Sequence, residues 1–271
     1  SSMDVILATR DQKKASEPNR FYWDPHRGIL NQKYLEGVDI VINLSGENLS
    51  SPFWTNTKKN KIFNSRIRST ELIAEMIASM EHPPKRWLNA SAIGYYGDRG
   101  DEILTETSSP GSGFLAETCQ KWEAATKKAE KRVPVAHLRF GIVLGKSGGA
   151  LSKMLLPFRL GLGGKIGSGD QWMSWLSAIE VEGIVRHIVE KDLSGPINMV
   201  TPHPITNSEF TKVLGKALKK PTIFSIPQQI LIGEMAKELL LSSKRVIPEK
   251  LLKSGYIFHH ESLKQALEAI L

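Results

Sequence analysis

The chain has 271 residues, 41% of them hydrophobic and 24% charged, enough for one large globular domain or one domain with a smaller appendage. A single cysteine, Cys119, excludes an internal disulfide, and no apolar run reaches the roughly 20 residues that a membrane helix needs. The net charge of +8 would suit an anionic partner, but the lysines lie dispersed on predicted helices with glutamates between them, so solvated helix faces explain the charge better than a nucleic-acid surface does.

Asp4 to Thr9 predicts a short buried strand, followed at once by Arg10 and Asp11, and Phe21 to Pro25 predicts a short strand and turn. The continuous β-branched run Val38 to Leu44 predicts a buried strand of a parallel sheet, which ends at Ser45-Gly46-Glu47-Asn48. Ile62, Ile67, Leu72, Ile73, Met76 and Ile77 recur at helical spacing and predict a long helix from about Thr57 to Met80, stopped by Pro83 and Pro84. Trp87 to Gly97 opens as an apolar strand and then breaks at small residues. Ser91 therefore falls at the carboxyl edge of a sheet, where open α/β sheets bind ligands, with Tyr95 and Tyr96 close behind. A polar loop holding two half-buried tyrosines is the plain alternative. Gly113 to Arg132 predicts a helix and Val133 to Val143 a strand, with Pro134 near its start. Alternating strands and helices of this kind make a doubly wound parallel sheet with helices on both faces.

Beyond Gly145 the pattern is less regular. Helices are predicted at Leu151 to Leu160 and Ile179 to Val189, a glycine-rich substrate-side loop at Gly161 to Gly169, and a short strand at Pro196 to Val200. Thr206 and Glu209 have capping-box spacing before Phe210. Short helices and turns fill 221–271. The expected division is a dinucleotide-binding domain over 1–200, with 146–176 contributing to the substrate side, and a small, mostly helical substrate or lid domain over 201–271.

Several motifs bear on chemistry. If Asp4 to Thr9 is the second strand of a dinucleotide-binding fold, an acidic residue at its end would suit the ribose hydroxyl of NAD, whereas Arg10 favours the 2′-phosphate of NADP; an exposed loop arginine is the competing explanation. Gly141-Ile-Val-Leu-Gly145-Lys146-Ser147 has three residues between its glycines where a phosphate-cradling loop needs four, which excludes that reading. The seven histidines form no Cys/His cluster with metal-ligand spacing, so no metal is expected, and Ser91 lacks the Gly-x-Ser-x-Gly setting of a hydrolase nucleophile.

Five stretches fall in an order that resembles a known family: Val41-Ile-Asn-Leu-Ser-Gly-Glu-Asn48, Asn89-Ala-Ser-Ala-Ile-Gly-Tyr-Tyr-Gly97, Leu138-Arg-Phe-Gly-Ile-Val-Leu-Gly145, Leu155-Leu-Pro-Phe-Arg-Leu-Gly-Leu-Gly-Gly164 and Ser243-Lys-Arg-Val-Ile-Pro-Glu-Lys-Leu-Leu252. Together they are similar to the extended short-chain dehydrogenase/reductases, and within them to the atypical sugar-nucleotide epimerase-like subfamily that ends in a small helical domain. The resemblance implies a Rossmann fold, an NADP-type cofactor and a substrate cleft under the C-terminal domain. It implies that Thr9 and Arg10 meet the adenosine 2′-phosphate, that Leu44, Ser45 and Gly46 pass under the ribose and pyrophosphate, and that Arg66 contacts the cofactor. It also implies that Ser91 hydrogen-bonds the substrate oxygen that is oxidised or reduced.

The chain departs from the wider superfamily in two places. The Tyr-x-x-x-Lys pair expected on the helix after Ser91, in which the ammonium lowers the pKa of a proton-shuttling phenol, falls at Leu115 and Cys119. Tyr95, Tyr96 and Glu117 stand as possible substitutes. The central opening strand and its glycine loop have no counterpart in this sequence; the expectation is a preceding segment of roughly 25–35 residues, and poor dinucleotide binding without it because the pyrophosphate seat is lost. The functional expectation is an NADP-linked oxidoreductase or epimerase-like enzyme acting on a small polar substrate, with nucleotide sugars among the candidates. A catalytically silent dinucleotide-binding sensor or scaffold is the alternative. A small-molecule substrate, no nucleic acid, no membrane and a cytoplasmic location complete the expectations.

Overall fold

The computed structural model describes residues 4–51, 53–146 and 148–271; Ser147, the last residue of the rejected phosphate-loop stretch, lies outside them. In chain order the strands and helices are β1 (Leu7–Thr9), β2 (Arg20–Tyr22), β3 (Ile40–Asn43), α1 (Asn56–Ser79), β4 (Arg86–Ala92), β5 (Ile103–Leu104), α2 (Phe114–Ala124), α3 (Lys127–Glu130), β6 (Val135–Phe140) and β7 (Ile142–Gly145). Then follow α4 (Gly149–Arg159), β8 (Gly164–Ile166), β9 (Trp172–Met173), β10 (Trp175–Ser177), α5 (Glu180–Glu190), β11 (Gly195–Met199), β12 (Ile205–Thr206), α6 (Asn207–Leu218), β13 (Phe224–Ile226), α7 (Glu234–Ala236), β14 (Arg245–Val246), α8 (Glu249–Lys253) and α9 (Leu263–Ile270). The fold is α/β with predominantly parallel strand pairing.

Two compact units divide the chain, the first formed by Ser1–Ser50, Thr55–Ala90 and Lys121–Val135. In it β3 runs parallel to β4, with Ile40 opposite Arg86 and Asn43 opposite Asn89. Phe21, Val41, Ile73, Ile77, Trp87 and Val135 form the core of this unit. The long helix α1 presents Ile62, Ser69, Thr70, Ile73, Ala74 and Ile77 inward at helical spacing, and Thr55 caps its start by accepting from Lys58 N. The strands β1 and β2 make a two-stranded parallel sheet of their own. Leu7 and Ile42 are about half exposed (52% and 47%) and Leu44 is 62% exposed. The stretches Asp4 to Thr9 and Val38 to Leu44, expected as buried strands, therefore leave apolar residues in solvent, because β1 pairs with β2 in a two-stranded sheet and β3 lies at a sheet edge.

The second unit, Ser51–Trp54, Ser91–Gln120 and Ala136–Leu271, holds the parallel pairs β6–β11, β7–β10, β8–β13 and β5–β14 and the antiparallel pair β9–β12. Leu144, Leu151, Leu155, Trp175, Phe210 and Leu267 build its main core, and Ile93, Tyr96, Leu104, Val200 and Val246 a smaller one. The capping box at Thr206 and Glu209 is formed, and a second, at Ser262 and Gln265, opens α9.

Three further predicted elements differ from the structure. The single strand Val133 to Val143 is two, because the chain turns at Gly141, where a Cβ would lie 2.6 Å from both the Ser174 carbonyl and a Val200 methyl; β6 then pairs with β11 and β7 with β10. The helix Gly113 to Arg132 is interrupted after Ala124. The Thr126 hydroxyl donates to the Glu123 carbonyl and to Glu130, and this local alternative to the helical ladder breaks the run. Part of the glycine-rich loop is the strand β8, whose Gly164 sits so close to Phe224 that a Cβ would meet its carbonyl at 2.3 Å.

Candidate cofactor and substrate sites

In the first unit the carboxyl ends of β3 and β4 are joined by buried amides. Asn43 Nδ2 donates to Asn89 Oδ1 at 2.8 Å and to Thr70 Oγ1 at 3.3 Å, and Trp122 Nε1 donates to the same threonine at 2.9 Å. Asn43 Oδ1 accepts from the backbone N–H of Ser45 at 3.1 Å and from its hydroxyl, and that hydroxyl lies 3.0 Å from Ser69 Oγ. The turn that carries Ser45 and Gly46 is thereby fixed to α1. A Cβ on Gly46 would stand 3.2 Å from the Arg66 guanidinium carbon, so only glycine leaves that backbone bare beside the guanidinium.

Arg66 Nη1 donates to the carbonyls of Glu47 (3.2 Å) and Ile62 (3.0 Å), and the guanidinium lies 5.1 Å from the centre of the Trp122 ring. Glu47 pairs with Lys58 at 2.6 Å. The hydrogen bond from Lys58 does most to hold the Glu47 carboxyl below its ordinary range, against the opposing effect of burial, and the charges of Lys58, Lys61 and Arg10 add to it. Arg10 is exposed at the end of β1, directly after Thr9, whose hydroxyl accepts from Asp11 N at 3.2 Å. Thr9, Arg10, Leu44, Ser45, Gly46 and Arg66 thus all belong to the strand ends of one unit or to the helix beside them. Sequence reasoning overlooked Asn43, Thr70 and Asn89; the signal was an asparagine within each of two apolar strand runs.

In the second unit Ser91 is 2% exposed and stands one residue before the end of β4. The following turn, Ile93–Tyr96, closes at Gly97, whose φ of 65° and contact with the Ser112 backbone exclude a side chain. Tyr96 is fully buried. Its hydroxyl donates to Asn198 Oδ1 at 2.7 Å and accepts from Arg139 Nη1 at 2.9 Å. Burial pushes the phenol up to about 12, against the partial relief given by Arg139. Tyr95 is half-buried, with the Arg139 guanidinium 3.6 Å from its ring centre. Glu106 supports the arrangement by accepting from Asn198 N at 3.0 Å. Tyr96 is therefore held as a tie between β6 and β11, while Tyr95 keeps a partly open ring.

A Cβ on Gly94 would lie 3.3 Å from Leu115 Cβ and 3.6 Å from Cys119 Sγ, so the segment after Ser91 packs on the face of α2 that carries those two residues. Both are buried, whereas Glu117 is exposed. The start of α2 is capped from far along the chain: Glu238 Oε1 accepts from Phe114 N at 2.7 Å and Oε2 from Leu115 N at 2.8 Å. Lys244 Nζ donates to the Glu238 carbonyl at 3.2 Å and to Ser242 Oγ. Its neighbour Ser243 ties in Asp98 and Gly100. Arg139, Asn198, Glu238 and Lys244 had no assigned role in the sequence, although Arg139 interrupts an apolar strand and Lys244 lies in one of the five family-like stretches. Among the described residues no cluster of three or more His, Cys, Asp and Glu side chains could hold a metal, and no helix is long and apolar enough to cross a membrane.

Residues 226–270 match the family described as a domain of unknown function, DUF1731. Over 263 residues the chain is 38% identical to an epimerase family protein of Mycobacterium bovis, an alignment covering 94% of this chain and 86% of that protein. Among solved structures, human epimerase family protein SDR39U1 (isoform 2) with NADPH is similar at a TM-score of 0.86 and 34% identity, over 98% of this chain and 90% of that one. The nucleoside-diphosphate sugar epimerase of Corynebacterium glutamicum is similar at a TM-score of 0.80 and 33% identity, over 98% of this chain and 52% of that one.

Proposed function

Since this chain belongs to the epimerase family of SDR39U1 and its bacterial relatives, with their Rossmann-like α/β fold, we propose that it is an NADP-linked oxidoreductase or epimerase-like enzyme acting on a small polar substrate of the nucleotide-sugar class. The observation that carries this reading is the gathering of Arg10, Ser45, Gly46 and Arg66 at the strand ends of the first unit, with Gly46 kept bare beside a guanidinium. These residues fit the adenosine end of the dinucleotide. Thr9 and Arg10 hold the 2′-phosphate, Leu44, Ser45 and Gly46 offer backbone to the ribose and pyrophosphate, and Arg66 adds a cation. The dinucleotide, when bound, supplies a hydride donor or acceptor. The substrate side is assigned to 146–176 and 201–271 together with Ser91, which hydrogen-bonds the substrate oxygen. Tyr95 contributes a ring face, and Tyr96 positions Arg139 behind it.

A second reading, a dinucleotide-binding protein without turnover, draws on Leu115 and Cys119, which offer neither the phenol nor the ammonium of ordinary short-chain redox chemistry. Titration of NADPH against the fluorescence of the six tryptophans tests the cofactor claim. Binding in the micromolar range, weakened about tenfold by Arg10→Ala through loss of a charge-assisted hydrogen bond, supports it. Absence of binding both in this chain and in one extended upstream sinks both readings. A spectral change of bound nicotinamide on adding nucleotide sugars separates the enzyme from the silent binder.

A further inference from the structure

We propose that Lys244 is the proton-carrying group of the substrate side, an acid–base lysine placed beside the helix face where Leu115 and Cys119 can carry no proton. The use of that proton rests on the enzymatic reading above; the amine's titration does not.

Three strands of geometry converge on this position. The Lys244 backbone N–H donates to the Trp172 carbonyl at 3.1 Å, while the adjacent Ser243 accepts from Trp172 N at 3.0 Å and donates to the carbonyl of Gly100 at 2.8 Å. The base of the side chain is therefore fixed. At its tip, Nζ donates to two neutral oxygens, the Glu238 carbonyl and the Ser242 hydroxyl. Those acceptors serve a neutral amine as well as an ammonium. The nearby carboxylate of Glu238 is already engaged by the Phe114 and Leu115 amides. Leu115 in turn touches Gly94, three residues past Ser91, so Lys244 is linked through one helix end to the segment expected to hold substrate.

The electrostatic surroundings agree with that placement. Burial lowers the ammonium to about 8, opposed by the charges of Asp98, Glu238 and Cys119. The residue as a whole is nonetheless partly accessible. A lysine that loses its proton near neutrality can accept one from a substrate hydroxyl and return it: R–OH and the amine give the alkoxide and the ammonium, and the reverse step restores both. Glu238 and Ser242 are the positioning residues for this exchange.

The test uses the full chain. Lysines are reductively methylated with a 13C label and titrated by NMR, with Lys244→Arg assigning the resonance. A midpoint near 8 for Lys244, against roughly 10.4 for ordinary lysines, is expected; titration together with the other lysines overturns the proposal. A second measurement follows NADPH oxidation with phenanthrenequinone as the probe acceptor across pH 6–10. Lys244→Met should abolish the pH dependence centred near 8 while leaving NADPH affinity unchanged, and an unchanged profile in that variant overturns the role. If the wild type binds NADPH but never oxidises it, the enzymatic reading falls and the proton-carrying role with it, and the NMR midpoint still decides the state of the amine.

Discussion

Asn43 and Asn89 stand directly opposite each other in the β3–β4 register, and the side-chain amide of the first donates to the side-chain oxygen of the second at 2.8 Å. Both residues are almost wholly buried, so this bond replaces hydration that neither group can recover. Asn43→Leu removes the donor together with the acceptor that fixes Ser45. The expected cost is about 1–3 kcal/mol, the range for leaving a buried polar group without its partner. Urea denaturation measures it, and the double variant with Asn89→Leu should cost less than the sum of the two single changes, because the pair leaves together. Additive losses would refute a direct coupling.

This pairing also marks where sequence reasoning stops. The β3 run and the helix α1 are legible because their signals are local: a continuous β-branched stretch in one, and a helical period running from Ile62 to Ile77 in the other. The capping box at Thr206 is legible for the same reason. The break at Gly141 is not, since it depends on the approach of Ser174, a residue between β9 and β10. Nor is β8, whose three residues leave no periodicity to read. At the candidate site the sequence shows that Leu115 and Cys119 cannot perform the expected chemistry. It cannot show that Glu238, 123 positions away, caps the amide of Leu115 and brings Lys244 with it.

Tyr96 offers a sharper distinction between a tie and a proton donor. Its folded-state phenol is raised by burial to about 12 from an ordinary value of 10.0, so the neutral form is the one the fold favours. That contribution is complete below pH 10 and is lost as the pH rises toward 12. Tyr96→Phe should therefore cost about 1–3 kcal/mol at pH 7, through the lost link between Arg139 and Asn198, and should flatten the stability profile above pH 10. Denaturation midpoints at pH 7 to 11 read both effects. Full stability at pH 7 with abolished turnover would instead make Tyr96 a proton donor.

Gly46→Ala should separate binding from stability. The added Cβ meets the far end of the Arg66 side chain rather than backbone, and that side chain can swing aside. The stability loss is expected to stay at about 1 kcal/mol, the cost of surrendering a partly buried hydrogen bond of Arg66. NADPH affinity should fall about tenfold or more, equivalent to about 1.4 kcal/mol, because the bare backbone and the guanidinium are displaced together. Calorimetric titration alongside thermal unfolding checks the pair of outcomes; undiminished affinity would remove Gly46 from the cofactor site.

Glu180 governs the acid side of the stability curve. It is 1% exposed at the start of α5 and gathers the segment before α9 around itself. The Tyr256 hydroxyl donates to it at 2.8 Å and His260 N at 2.8 Å, and His259 Nδ1 lies at 3.2 Å. Burial is the largest single influence and would raise its pKa, but the hydrogen bonds from His260, Tyr256 and His259 together outweigh it, and the net shift is downward from 4.5. A lowered carboxyl contributes its full stabilisation above the unfolded-state value and loses it as the pH falls through the folded-state value. Stability should thus decline below about pH 4.5, with α5 and the segment around His259 and His260 loosening first. Glu180→Gln places an amide NH2 where donors already point, so it should cost about 2–3 kcal/mol at pH 7, in the range for a hydrogen bond to a charged group, and respond less to acid. Urea midpoints from pH 3 to 7 decide the matter: parallel acid profiles for wild type and variant would mean that other carboxylates set the limit, and that Glu180 is held for geometry alone.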